Sequence, residues 1–131
     1  MKIGELRIGD WINERGNNTT FIIVDLDLFE GLNSQRCHIE DYEPIPLTEE
    51  WLIKFGFEKD DIRENYFIDC GEYRMKVSIN AFSPKIDEDS EWWISILTGY
   101  GSQQVTILRK HVHQLQNLYF ALTGEELKTK Q

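Results

Sequence analysis

The sequence predicts a single α+β domain over residues 1–131: a small N-terminal three-stranded β module, a short helix, a four-stranded antiparallel meander and a C-terminal helix packed on a sheet. Three observations carry this reading. β-Branched and aromatic runs recur at short intervals, separated by turns rich in Gly, Asn and Ser. Helical spacing of apolar residues is confined to two segments, one after Thr48 and one after His111. The chain of 131 residues, 40% hydrophobic and 12% aromatic, is the size of one domain with enough apolar surface for a core.

The elements follow in order. Ile8 to Ile12 opens the first strand and Gly16-Asn17-Asn18 supplies turn chemistry. Thr19 to Val24 is the strongest strand signal, with Asp25 to Asp27 continuing it ambiguously. Gly31 to Ser34 reads as a turn and Gln35 to Ile39 as a third short strand. Pro44 and Pro46 close this module, and the stretch 44–48 is the one place for a seam between sub-modules. The spacing predicts a helix over 48–55, with Thr48 as N-cap, Glu49 and Glu50 favoured by the helix dipole, and Leu47 and Leu52 at staple positions. Gly56 ends it in a left-handed conformation.

Four strands are expected next: Tyr66–Cys70, Tyr73–Asn80, Glu91–Leu97 and Gln103–Leu108. Gly71-Glu72 joins the first two as a two-residue turn with Gly leading. Ser83 to Asp89 is a polar loop, and Gly99 to Ser102 is a turn. The second of these strands alternates cleanly, with Tyr73, Met75, Val77 and Ile79 on one face and Arg74, Lys76, Ser78 and Asn80 on the other. Val112, Leu115, Leu118, Tyr119 and Leu122 give the final helix its apolar stripe, and Gly124 stops it.

Composition excludes several classes. The longest apolar run is far below the length of a membrane span, and Met1-Lys2-Ile3-Gly4-Glu5 has no apolar leader core, so a cytoplasmic protein is expected. Cys37 and Cys70 are therefore expected to be reduced thiols. The net charge of -9 argues against direct nucleic-acid binding. The acidity is uneven: residues 1–66 hold 15 acidic and 7 basic side chains, residues 67–131 hold 8 and 7. This is the pattern of a solvated surface, or of an acidic face that docks a basic partner by imitating nucleic-acid charge.

Catalytic signatures are missing. Acid pairs such as Glu49/Glu50, Asp60/Asp61 and Asp87-Glu88-Asp89 are consecutive and polar-flanked, so they lack the contrasting environments of an acid–base couple. His111 and His113 form an H-x-H pair at a strand-to-helix boundary; they either flank the helix start or, in a small hydrolase, line a pocket. No metal site and no cofactor is expected. The most promising surface comes from the meander. Alternation sets Trp93 on the face of Arg74 and Lys76, an aromatic–cation patch that is either covered by another layer or open to a protein partner.

The segments Tyr42-Glu43-Pro44-Ile45-Pro46-Leu47-Thr48-Glu49-Glu50-Trp51-Leu52 with Lys54-Phe55-Gly56-Phe57, and His113-Gln114-Leu115-Gln116-Asn117-Leu118-Tyr119-Phe120-Ala121-Leu122-Thr123-Gly124-Glu125-Glu126-Leu127, resemble a family of small uncharacterised proteins common in Bacteroidetes genomes and their phages and prophages. The opening Glu5-Leu6-Arg7-Ile8-Gly9-Asp10-Trp11 shares in it. The resemblance labels a family without an activity. It implies a bacterial or phage setting and favours a small accessory protein over a metabolic enzyme. The expected function is a non-enzymatic, protein-binding accessory factor of phage or mobile-element origin, with Arg74, Lys76 and Trp93 as contact residues. The alternatives are an acidic nucleic-acid-mimicking decoy and a small hydrolase using His111 or His113.

Overall fold

The computed structural model describes residues 1–16, 21–60, 65–71, 73–79, 92–98, 101–108 and 111–129, with the side chains at 79, 92, 93 and 102–108 outside that description. The expected loop at 83–89 and the residues Gly99 and Tyr100 of the expected turn lie outside the described residues. The architecture is α+β. In chain order the elements are β1 (Trp11–Glu14), β2 (Phe21–Ile23), α1 (Leu26–Asn33), β3 (Tyr42–Glu43), α2 (Glu49–Lys54), β4 (Glu58–Lys59), β5 (Asn65–Cys70), β6 (Tyr73–Ile79), β7 (Trp92–Thr98), β8 (Gly101–Leu108) and α3 (Val112–Thr123). The chain divides into two compact units, Met1–Pro46 with His111–Glu126 and Leu47–Lys110 with Leu127–Gln131.

The first unit holds an antiparallel sheet of order β2-β1-β3 together with α1 and α3. Ile12, Val24, Leu6 and Leu32 form a buried cluster, against which Ile22, Leu28 and Phe29 pack. The sequence reading fails between 25 and 43. A strand was expected at Gln35–Ile39 with no helix before it; the structure forms α1 and places the third strand at Tyr42–Glu43. Asp25 is the reason. Its backbone is extended and its Oδ1 accepts the Leu28 N–H at 2.8 Å, an N-cap that starts the helix. Gly31 is therefore no turn residue. An added Cβ would lie 2.7 Å from Cys37 Sγ, so glycine serves close approach inside the helix. The chain leaves α1 through Ser34 and Gln35, the latter at φ 65.

The second unit holds a five-stranded antiparallel meander of order β4-β5-β6-β7-β8. Its last four strands match the expected ones within a few residues. β4 is additional, pairing Glu58 with Phe67 and Lys59 with Tyr66; two residues are too short to show periodicity. Cys70 faces Tyr73 across the hairpin, with Gly71 at φ +78. Met75, Val77, Tyr66 and Ile94 are fully buried, which fixes the inward face of the sheet. α2 forms where predicted: the Trp51 N–H donates to Thr48 Oγ1 at 3.5 Å, Leu47 and Leu52 are buried, and Gly56 takes φ +91. Both cysteines are free thiols.

Candidate functional site

The hairpin at Gly71 determines what shares the outward face of the meander. Pairing Cys70 with Tyr73 forces Asp69 opposite Arg74, Phe67 opposite Lys76 and Asn65 opposite Ser78. On the next strand Leu97 faces Arg74, Ser95 faces Lys76 and Trp93 faces Ser78. Trp93 is thus a diagonal neighbour of Lys76, and Arg74 stands further along the ladder; the Trp93 side chain lies outside the described residues. Among the described residues Arg74 also has an aromatic partner in Phe67, whose ring centroid lies 4.9 Å from the guanidinium carbon. Asp69 Oδ1 also reaches Arg74 Nε at 3.0 Å.

Both members of that ion pair are exposed, so it contributes at most about 1 kcal/mol and leaves Arg74 available to another anion. Lys76, Phe67 and Leu97 are half-buried, Tyr73 is 43% exposed, and Ser95 is buried. Sequence reasoning missed Phe67. The signal for it was present, because a two-residue hairpin at 71–72 fixes the pairing of 67 with 76.

The two histidines occupy a different setting. His111 is the N-cap of α3, and its N–H donates to Gln114 Oε1 at 3.3 Å. It also bridges Pro46, while the Val112 N–H donates to Ile45 O at 2.9 Å. The rings of His111 and His113 stack with centroids 5.8 Å apart and planes 14° from parallel. His113 is only 1% exposed, and Glu5 Oε2 stands 3.6 Å from its Nε2. Burial pushes its pKa below 6.5, and the nearby Glu5 carboxylate opposes that shift. The His113 ring lies away from solvent beside the start of α3.

Around it runs a polar network that ties α3 to the N-terminal segment. Gln116, fully buried, accepts the Trp11 N–H at 2.8 Å and donates to Gly9 O at 3.0 Å. Asn117 donates to Glu5 O at 2.7 Å. Arg7 pairs with Glu126, stacks 3.8 Å above the Phe120 ring and donates to Asn117 Oδ1 at 3.3 Å. Asp10 accepts the Arg7 N–H at 2.8 Å through Oδ2, and burial pushes its carboxyl up to about 6. These contacts tie the N-terminal segment of the chain to α3 and the residues that follow it.

No match to this chain was found among protein-family models, curated proteins or solved structures. Among the described residues, no group of three or more His, Cys, Asp or Glu is arranged to hold a metal ion. Among them also, no helix is long and apolar enough to cross a membrane. A wide-mouthed depression beside β1 and β3 is lined by Glu14, Arg15, Asp41 and Tyr42. Burial raises the Tyr42 phenol above its ordinary pKa, with Cys37, Glu14 and Asp41 adding to the shift, so it is a hydrogen-bonding group rather than an anion at neutral pH.

Proposed function

We propose that this chain is a non-enzymatic, protein-binding accessory factor of phage or mobile-element origin, acting in the cytoplasm, with the outward face of β5, β6 and β7 as its contact surface. The observation that supports this most is the make-up of that face. A cation on an aromatic ring, Arg74 over Phe67, lies beside half-buried Lys76 and Leu97, with Trp93 one diagonal step away on the ladder. Arg, Trp and other aromatics concentrate binding energy at interfaces, and a rigid antiparallel ladder holds them in place before the partner arrives. The burial of His113 supports a structural role for the H-x-H pair over a hydrolytic one. The mobile-element setting draws on the resemblance of the segments 42–57 and 113–127.

The test is capture of a stoichiometric partner from nuclease-treated bacterial lysate by the wild-type protein and by the Arg74→Ala, Lys76→Ala, Trp93→Ala triple variant. Loss of the partner with the fold intact by circular dichroism supports the reading; unchanged capture rejects that face. The decoy reading has its own observation, the exposed acids Asp25, Asp27, Glu30, Glu40 and Asp41 of the first unit. It requires capture that weakens steeply with salt and is competed by DNA.

A further inference from the structure

We propose that β2 is a docking edge for an extended, basic and apolar segment of a protein partner, which adds to the first sheet as a fourth strand. Among the described residues β2 is the outermost strand, in the order β2-β1-β3. The Val24 N–H donates to Asp10 O at 2.8 Å, and Val24 O accepts the Gly9 N–H at 2.7 Å, so the backbone of Val24 is turned toward β1. Antiparallel alternation then turns Ile22 toward β1 and the N–H and C=O of Ile23 toward the outer edge.

The described side chains beside Ile23 are apolar and exposed. Ile23 is 49% exposed and Leu26, just beyond it, 58%. Ile8, at 49%, is brought alongside by the Gly9–Val24 bond. Phe21 shares the face of Ile23, whereas Ile22 turns inward onto the core cluster. Phe21-Ile22-Ile23 holds no Lys, Pro or bulge, and its shortness confines the docking to the backbone groups of Ile23 and the side chains beside it. Outward backbone groups at Ile23, flanked by the exposed apolar side chains of Ile8 and Leu26, make the pattern read by strand addition.

Charge selects the occupant. Asp25, Asp27 and Glu30 follow immediately and are exposed, Asp27 with Arg36 at 3.2 Å, and the chain carries a net charge of -9. A second copy would bring the same acidic stretch against itself. A segment alternating Lys or Arg with apolar residues places cations on these acids and apolar side chains on Ile23 and Leu26. The inference is independent of the Arg74 face, since every residue it uses belongs to the first unit.

The experiment measures fluorescence anisotropy of a labelled synthetic peptide of alternating Lys and Val with the full-length protein, against an alternating Glu and Val peptide. The Lys–Val peptide is expected to bind at least about tenfold more tightly than the Glu–Val peptide. Ile23→Pro, which removes an outward N–H, and Leu26→Lys, which places a like charge on an already exposed site, should each weaken binding by about fivefold or more. The Arg74→Ala, Lys76→Ala, Trp93→Ala variant should bind the peptide as the wild type does, so failure here is separate from failure of the other face. Equal binding of the two peptides overturns the proposal. So does binding that both Ile23→Pro and Leu26→Lys leave unchanged. A concentration-dependent dimer abolished by Leu26→Lys also overturns it, by making a second copy the occupant.

Discussion

Replacing Asp10 by Asn removes a buried charge, and it should stabilise the protein at neutral pH. Asp10 is fully buried; its Oδ2 accepts the Arg7 N–H at 2.8 Å, while Oδ1 is buried without a hydrogen-bond partner. Burial raises its pKa from 3.8 to about 6, and the bond and charge of Arg7 only partly offset this. Between pH 3.8 and about 6 the folded state therefore holds a proton that the unfolded state releases. Stability from this group is complete below pH 3.8 and is lost as pH rises through about 6. A shift of about two pKa units corresponds to at most about 3 kcal/mol, and about 2 kcal/mol is the working figure.

The amide keeps the acceptor for Arg7 and carries no charge. Urea unfolding at pH 4, 5, 6 and 7.5 should show Asp10→Asn equal to wild type at the acid end and about 2 kcal/mol more stable above pH 6. His113 works in the opposite sense, because its lowered pKa makes the folded state lose stability as pH falls below 6.5. It is common to both proteins, so their difference isolates Asp10. A variant that is less stable at pH 7.5, or a difference that does not change with pH, refutes the reasoning.

Two further changes test the first unit. Gln116→Leu strips the Trp11 N–H and Gly9 C=O of their buried partner, and chemical denaturation should register a loss of about 2–4 kcal/mol. Gly31→Ala gains helix propensity, yet its Cβ meets Cys37 Sγ at 2.7 Å. The crowding should win by about 1 kcal/mol, and Cys37→Ala should relieve it; a double-mutant cycle with no coupling would remove the contact as the cause.

The meander was legible because β5 and β6 obey period two and are joined by a two-residue turn, so pattern and register agree. α2 and α3 were legible because caps coincide with apolar spacing: Thr48 and Gly56 at one helix, Gly124 at the other. α1 was hidden because Ile22, Val24, Leu26 and Leu28 prolong a strand-like alternation past Asp25, and only the Asp25 cap breaks it. Gly31 added to the error, since glycine signals a turn more often than it signals a close sulfur neighbour. The bonds of Arg7 to Asn117 and of Gln116 to Trp11 and Gly9 could not be read at all, because their partners are more than 100 residues apart and no local pattern marks them. At the candidate face, the residue types were legible and the pairing of Arg74 with Phe67 followed from a register that had not been drawn.

Site-specific photo-crosslinking tests the central claim most directly. A benzoyl-phenylalanine is placed at position 76 on the outward face, or at position 53 in α2, where Ile53 is 49% exposed but outside that face. After illumination in bacterial lysate, the account predicts one dominant covalent protein adduct from position 76 and none of that species from position 53. An adduct common to both positions, or formed only from position 53, would contradict it.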